Sequence, residues 1–216
     1  MATILFGGSA ANPPTLAGHG SVLQAIAGYS RLYQCVKKVV WIPSGSRGDK
    51  NLLPAELRRR MIEMTFPEEW LLSQGVSIEI DWRDIDGKNT PTVDIFHEAF
   101  LKYPHDDIVW YTGADSVAPI RKYGGRSEIQ AKWKRGNELW LNPCYRFSIL
   151  PRQGWKHPRD LELPSGHFSW INAELPDVSS SEVRRMVRSG EVVPEGWLAP
   201  GVEEMLKLYY STCEES

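Results

Sequence analysis

Three observations in the sequence predict an α/β fold, a Rossmann-like parallel sheet with helices on both faces. Short apolar runs recur and each stops at small or turn-forming residues: Thr3-Ile4-Leu5-Phe6 before Gly7-Gly8-Ser9, Val39-Val40-Trp41-Ile42 before Pro43-Ser44-Gly45, and Asp107-Ile108-Val109-Trp110-Tyr111 before Thr112-Gly113. Stretches of helical period separate them, the clearest being Val22, Leu23, Ile26, Ala27, Tyr29 and Leu32. Finally, 216 residues with 42% hydrophobic content suffice for a buried core in one domain. Strand, helix and strand in that order form a βαβ unit, which is parallel and places ligands at the carboxyl ends of its strands.

In chain order, the first strand, Thr3–Phe6, leads through a glycine-serine loop to a helix starting near Gly18-His19. The second strand is Val39–Ile42, left by the loop Ser44-Gly45-Ser46-Arg47-Gly48-Asp49-Lys50. Pro54 to Ser73 reads as one or two helices, with Arg58-Arg59-Arg60 as a solvated charge run, because consecutive helical residues point in different directions. Val76 to Trp82 alternates as an edge strand does. Asp84 to Pro91 reads as a loop, and Thr92 stands where it caps a helix running to Leu101, with His97 on its surface. Leu139-Trp140-Leu141 and Phe147–Leu150 are expected strands around Asn142-Pro143, and Phe168–Ile171 is a last strand. A helical portion begins at about residue 179 and closes with an amphipathic helix from Pro200 to Tyr210.

Two stretches carry anion-binding chemistry. A strand ending on Gly8 and Ser9 lets backbone approach a ligand, and a helix starting near Gly18-His19 aims free N–H groups into the same space. In Val178-Ser179-Ser180-Ser181-Glu182-Val183-Arg184 the serines precede an apolar-periodic run, so they cap a helix whose Arg184 reaches back to the same end. A third signal is Asp115, just past the fourth strand and Gly113, placed to accept two ribose hydroxyls.

Together these stretches resemble the nucleotidylyltransferase superfamily, whose pattern is a His-x-Gly-His or Thr-x-Gly-His loop followed by Ile-Ser-Ser-Thr-x-Ile-Arg. Along nearly its whole length the chain looks most like the nicotinate or nicotinamide mononucleotide adenylyltransferases. The serine-arginine stretch departs only by Val178 for Ile, Ser181 for Thr and Val183 for Ile. Counted from Gly8-Ser9 to Gly18-His19, the first loop is two residues longer than the family's short form, and Thr15 stands four residues before His19 rather than three.

The resemblance implies a chemistry: adenylyl transfer from ATP to the phosphate of a pyridine mononucleotide, with release of pyrophosphate and with Mg²⁺ accompanying ATP. It assigns His19, Lys50 and Arg184 to the triphosphate, and Gly8, Ser9, Thr15, Gly18, Ser180 and Ser181 to phosphate binding. Gly113 and Asp115 match the family's nucleotide-binding Gly-x-Asp. Thr92 matches the second residue of a Tyr-Thr pair that holds the pyridine substituent, with Pro91 replacing the tyrosine. Tyr123, eight residues past Asp115, matches a ring-stacking tryptophan, and Arg152 lies in a segment like the family's Arg-Pro-Gly turn. Two rivals stay open: transfer to another phosphorylated acceptor such as phosphopantetheine or a cytidylyl-type substrate, and a nucleotide-binding protein without turnover, suggested by the altered Thr15 spacing.

A net charge of −2 and a pI near 6.2 argue against nucleic acid or an anionic membrane as partner, so the expected partners are small molecules. No run approaches the ~20 apolar residues of a membrane span, and the expected location is cytoplasmic. Cys35, Cys144 and Cys213 lack disulfide or zinc spacing, so no protein-held metal is expected. A homo-oligomer is compatible with the sequence.

Overall fold

The computed structural model describes residues 2–33, 36–45 and 52–213. Its elements in order are β1 (Thr3–Ser9), α1 (Ser21–Tyr33), β2 (Val36–Pro43), α2 (Ala55–Thr65), α3 (Glu68–Ser73), β3 (Ser77–Ile80) and α4 (Thr92–Lys102). There follow β4 (Asp107–Gly113), α5 (Ala114–Val117), α6 (Glu128–Lys132), α7 (Gly136–Leu141), β5 (Arg146–Leu150), β6 (Phe168–Trp170), α8 (Ser180–Ser189) and α9 (Val202–Cys213). All strand pairs are parallel, in the order β3-β2-β1-β4-β5-β6. This is the doubly wound arrangement, and its order reverses between β1 and β4, where a crevice opens at the strands' carboxyl ends.

Pleating explains the two layers. Ile4, Phe6, Val40, Ile42, Ile108 and Trp110 face one side, where they pack with Val93, Phe96 and Ala99 of α4. Their neighbours Leu5, Val39, Trp41, Val109 and Tyr111 face the other, against Leu23 and Ile26 of α1 and Ile62 and Phe66 near α2. Because both faces are covered, the central strands read as unbroken apolar runs rather than alternations. A third cluster joins Val183 and Val187 of α8 to Val202, Leu206 and Tyr210 of α9 and to Met61 of α2. Through it the terminal helices lie beside the sheet's crevice. No helix of the described residues is long and apolar enough to cross a membrane.

The structure corrects several sequence expectations. β1 runs on through Gly7, Gly8 and Ser9, which pair with Trp41, Ile42 and Pro43. Gly7 belongs to the strand because the Tyr111 ring lies over it, only 2.3 Å from where a Cβ would stand. Leu139–Leu141 lies in helix α7, not a strand: three apolar residues are too few to declare a period. The helix buries Leu139 and Trp140 and is braced by paired Arg135–Glu138 bonds of 2.5 and 2.7 Å. The cap of α4 is Pro91, and Thr92 is the first helical residue, making no capping bond.

The arginine run is also misread from sequence. Arg59 stacks on Trp82 and Arg60 pairs with Glu56 at the surface, but Arg58 is only 2% exposed. It donates to the carbonyls of Ala10 at 2.9 Å, Ser44 at 2.7 Å and Ile85 at 3.2 Å.

Candidate active site

A cleft of about 890 Å³ opens at the carboxyl ends of β1 and β4. Of the residues singled out from sequence, Gly8, Ser9, Thr15, Gly18, His19, Thr92, Gly113, Asp115, Arg152, Ser180, Ser181 and Arg184 all line it. Lys50 lies outside the described residues. Tyr123 does not line the cleft: it sits in a short turn, Arg121–Tyr123, between the ammonium groups of Lys122 and Lys132. The aromatic that does line the wall on this side is Trp133, braced edge-on against Trp110 at 6.1 Å between ring centres.

The first loop shows how the extra residue before His19 is accommodated. Residues Leu16–Gly20 form a π-helical turn, closed by a 3.2 Å bond from the Gly20 N–H to the Thr15 carbonyl five residues back, and α1 follows directly. A π turn takes up one residue more than an α turn while keeping the helix axis. Thr15 is therefore the true cap, and the helix starts earlier than the position near Gly18-His19 that composition suggests. Gly18 is required at its place: a Cβ there would stand 2.5 Å from Thr15 Oγ1 and 3.3 Å from the Val178 carbonyl.

The same turn sets the state of His19. The Thr15 backbone N–H lies 3.1 Å from His19 Nδ1, and Thr15 Oγ1 is 3.0 Å from the same nitrogen. A backbone N–H can only donate, so Nδ1 is the acceptor and the ring proton resides on Nε2. Burial, and secondarily the Arg152 guanidinium, lower the pKa of His19 to about 4. The imidazole is thus neutral near pH 7 and offers a fixed Nε2–H donor. Its ring rests 5.8 Å from Trp41, whose indole Nε1–H donates to Ser9 Oγ at 3.0 Å. Trp41 thereby orients Ser9, a role that its place in an apolar strand conceals.

Beside this loop, Ser179 caps α8, its Oγ accepting the Glu182 N–H at 3.1 Å. The N–H groups of Ser180 and Ser181 precede the first intrahelical bonds and remain available to an anion. The Ser180 hydroxyl instead donates to the Pro13 carbonyl at 2.8 Å. Arg184 donates to the Asn12 carbonyl, to Ser180 O at 3.3 Å and to Ser181 Oγ at 3.3 Å, so its fork ties the first loop to α8. Burial lowers the Arg184 pKa, yet an arginine stays charged under all ordinary conditions. Three of its five donor positions are used in these bonds, and Nε–H and one Nη2–H remain.

On the β4 side, the Asp115 carboxylate folds back over Gly113, with Oδ1 just 2.3 Å from where a Cβ on Gly113 would stand. Only a glycine leaves that seat open. Asp84, 3% exposed, accepts the Thr90 N–H at 3.0 Å and hydroxyl at 2.7 Å and so shapes the loop ahead of Thr92. Tyr111 also lines the cleft; burial raises its pKa, and its hydroxyl has no hydrogen-bond partner. Among the described residues no group of three or more His, Cys, Asp or Glu side chains is arranged to hold a metal ion.

No family model matches the chain. Curated proteins do. A probable nicotinate-nucleotide adenylyltransferase of Tropheryma whipplei (strain Twist) is 25% identical over 183 residues, which cover 82% of this chain and 87% of the relative. The protein of the same designation from Frankia casuarinae is 27% identical over 187 residues, 84% of this chain and 87% of its own. Among solved structures, the Plasmodium falciparum nicotinic acid mononucleotide adenylyltransferase complexed with NaAD superposes with a TM-score of 0.73 at 20% identity, covering 97% of this chain and 96% of that one. With a parallel sheet reversing at β1 and β4, a neutral histidine held by a Thr15 cap, and a serine-arginine helix start beside it, the chain resembles the nicotinate-nucleotide adenylyltransferases in sequence along more than four-fifths of its length.

Proposed function

We propose that this protein joins ATP and nicotinate mononucleotide, forming the dinucleotide and pyrophosphate. The observation that carries the reading is the convergence of the His19 Nε2–H donor, the free end of α8 and Arg184 on one wall of the cleft, with Asp115 and Trp133 on the other. The first wall suits a triphosphate and the second a nucleoside and a flat ring. The relatives' designations favour nicotinate over nicotinamide as the ring.

In this reaction an oxygen of the acceptor's 5′-phosphate attacks the α-phosphorus of ATP. The bond from that phosphorus to the bridging oxygen breaks, and pyrophosphate leaves with the electron pair. The attacking phosphate is already a nucleophile, so the protein's work is alignment and charge stabilisation. The His19 Nε2–H, the remaining Arg184 donors and the N–H groups of Ser180 and Ser181 stabilise charge developing toward the leaving group. Gly8 and Ser9 let the phosphates approach the backbone, Thr15 and Gly18 hold the His19 turn, and Lys50 is assigned to the triphosphate. Magnesium would enter with the ATP substrate and would offset phosphate charge.

Asp115 accepts ribose hydroxyls beside Gly113. Thr92 offers its N–H and hydroxyl to the pyridine substituent, Trp133 stacks on the ring in place of Tyr123, and Arg152 stands at the rim as a further cation. The test is pyrophosphate release from Mg²⁺-ATP with nicotinate mononucleotide, nicotinamide mononucleotide, phosphopantetheine or no acceptor. Release dependent on nicotinate mononucleotide is expected. Release with phosphopantetheine alone overturns the acceptor, and ATP binding without release from any acceptor overturns the reaction.

A further inference from the structure

Arg58 stands in helix α2, behind the cleft, and contacts none of the ligand positions considered above. Its three carbonyl partners belong to three different loops: Ala10 in the loop after β1, Ser44 after β2 and Ile85 after β3. Each of these loops supplies cleft-lining residues, among them Ala10, Ala11, Ser44, Asp84 and Thr90. The loops also touch one another, since a Cβ on Gly45 would stand 2.1 Å from the Asp84 carbonyl and 1.7 Å from that of Lys88.

A trans peptide holds its C=O and N–H antiparallel. Turning the Ala10 and Ser44 carbonyls onto Arg58 therefore turns the N–H groups of Ala11 and Gly45 away from α2. Ala11 itself has φ +43°, in the left-handed region that an alanine rarely adopts. It is held there between two arginines, Arg58 on the Ala10 carbonyl and Arg184 on the Asn12 carbonyl.

We infer that Arg58 is a positioning residue for adenylyl transfer: from behind the sheet edge, its single guanidinium sets the relative placement of the three loops that receive the phosphates and the acceptor. A guanidinium suits this task because its rigid planar fork donates in several directions at once, and a lysine ammonium on a flexible stem does not reproduce it. The inference rests on the reaction proposed above and adds to it a residue that never meets the substrate.

The experiment compares Arg58→Met with Ile62→Ala, a core substitution one turn further along the same helix that removes no bond to a loop. Both are assayed at a temperature where circular dichroism shows each variant folded. Displacing the loops by about 1 Å is expected to lower kcat/KM about 100-fold in Arg58→Met, with Ile62→Ala remaining within about threefold of the unmodified protein. A kcat/KM for Arg58→Met within about threefold of Ile62→Ala overturns the inference. If Arg58→Met does not fold, Arg58→Lys decides: a loss of about tenfold relative to Ile62→Ala supports the positioning role, and one within about twofold overturns it. If the unmodified protein releases no pyrophosphate, the reaction proposed above fails. Calorimetric Mg²⁺-ATP binding then judges Arg58 alone, with a roughly tenfold weaker affinity in the Arg58 variant than in Ile62→Ala expected and equal affinities overturning it.

Discussion

The two walls of the cleft are built differently. The phosphate wall is backbone held by side-chain hydrogen bonds, among them those of the buried residues Thr15 and Arg58: Thr15 fixes His19, Arg184 and Ser180 tie Asn12 and Pro13 to α8, and Arg58 holds Ala10 and Ser44. The opposite wall, where the pyridine ring is assigned, relies on half-buried side chains such as Thr92 and Trp133, for which the structure shows no comparable bonds to the loops among the described residues. Phosphates are common to every substrate of this chemistry, so their wall gains from being preorganised and invariant in shape. In the reading proposed above the ring wall sets the choice of acceptor, and side chains can be exchanged there without disturbing the sheet.

The largest expected effect probes the phosphate wall. His19→Ala removes the fixed Nε2–H donor and should lower kcat about 100- to 1,000-fold, measured as pyrophosphate release at saturating substrate. A loss below about fivefold would mean that the wall works without its histidine. Next, Gly18→Ala should displace the Thr15 hydroxyl from its place against His19, given the 2.5 Å approach of the added Cβ, and cost about 100-fold in kcat/KM. Normal activity in that variant would show that the π turn yields without moving His19.

On the ring wall the effects should be smaller and fall on KM. Trp133→Ala should raise KM for the mononucleotide about tenfold with little change in kcat, as loss of one stacking partner does, and Tyr123→Ala should leave it within about twofold. The reverse ranking would restore Tyr123 as the stacking residue and remove Trp133 from the site.

The smallest effect concerns pH. The folded-state pKa of His19, about 4, lies below its ordinary 6.5, so the fold takes up the proton less readily than the unfolded chain. The stability that this histidine contributes is fully present above about pH 6.5 and is lost as pH falls toward 4. His19→Gln, which keeps an acceptor for the Thr15 N–H, should flatten the fall in melting temperature across that interval. An imidazole signal of His19 that titrates near pH 6.5 by NMR would contradict the neutral Nε2–H state.

Much of this molecule is written in local sequence. The parallel strands β1, β2 and β4 are unbroken apolar runs because the fold buries both their faces, and that pattern needs no tertiary information. The same holds for the serine start of α8, since capping is a contact between residues three apart. The expectation of a nucleotide ligand likewise comes from Gly8, Gly113, Asp115 and Arg184, whose types and positions after strands or at a helix start can be read before any coordinate, and which the structure brings to one cleft. What sequence could not determine depends on contacts between distant residues. Arg58, Arg59 and Arg60 are identical letters in a row, and only the packing of three loops around α2 makes the first a buried hub and the others surface charges. Tyr123 and Trp133 are both aromatic residues beyond Asp115, and the path of the chain through α5 and α6 decides which one reaches the cleft. The extra residue before His19 reads as a defect when counted along the chain, and the π turn absorbs it because helical hydrogen bonds can close over five residues as well as four.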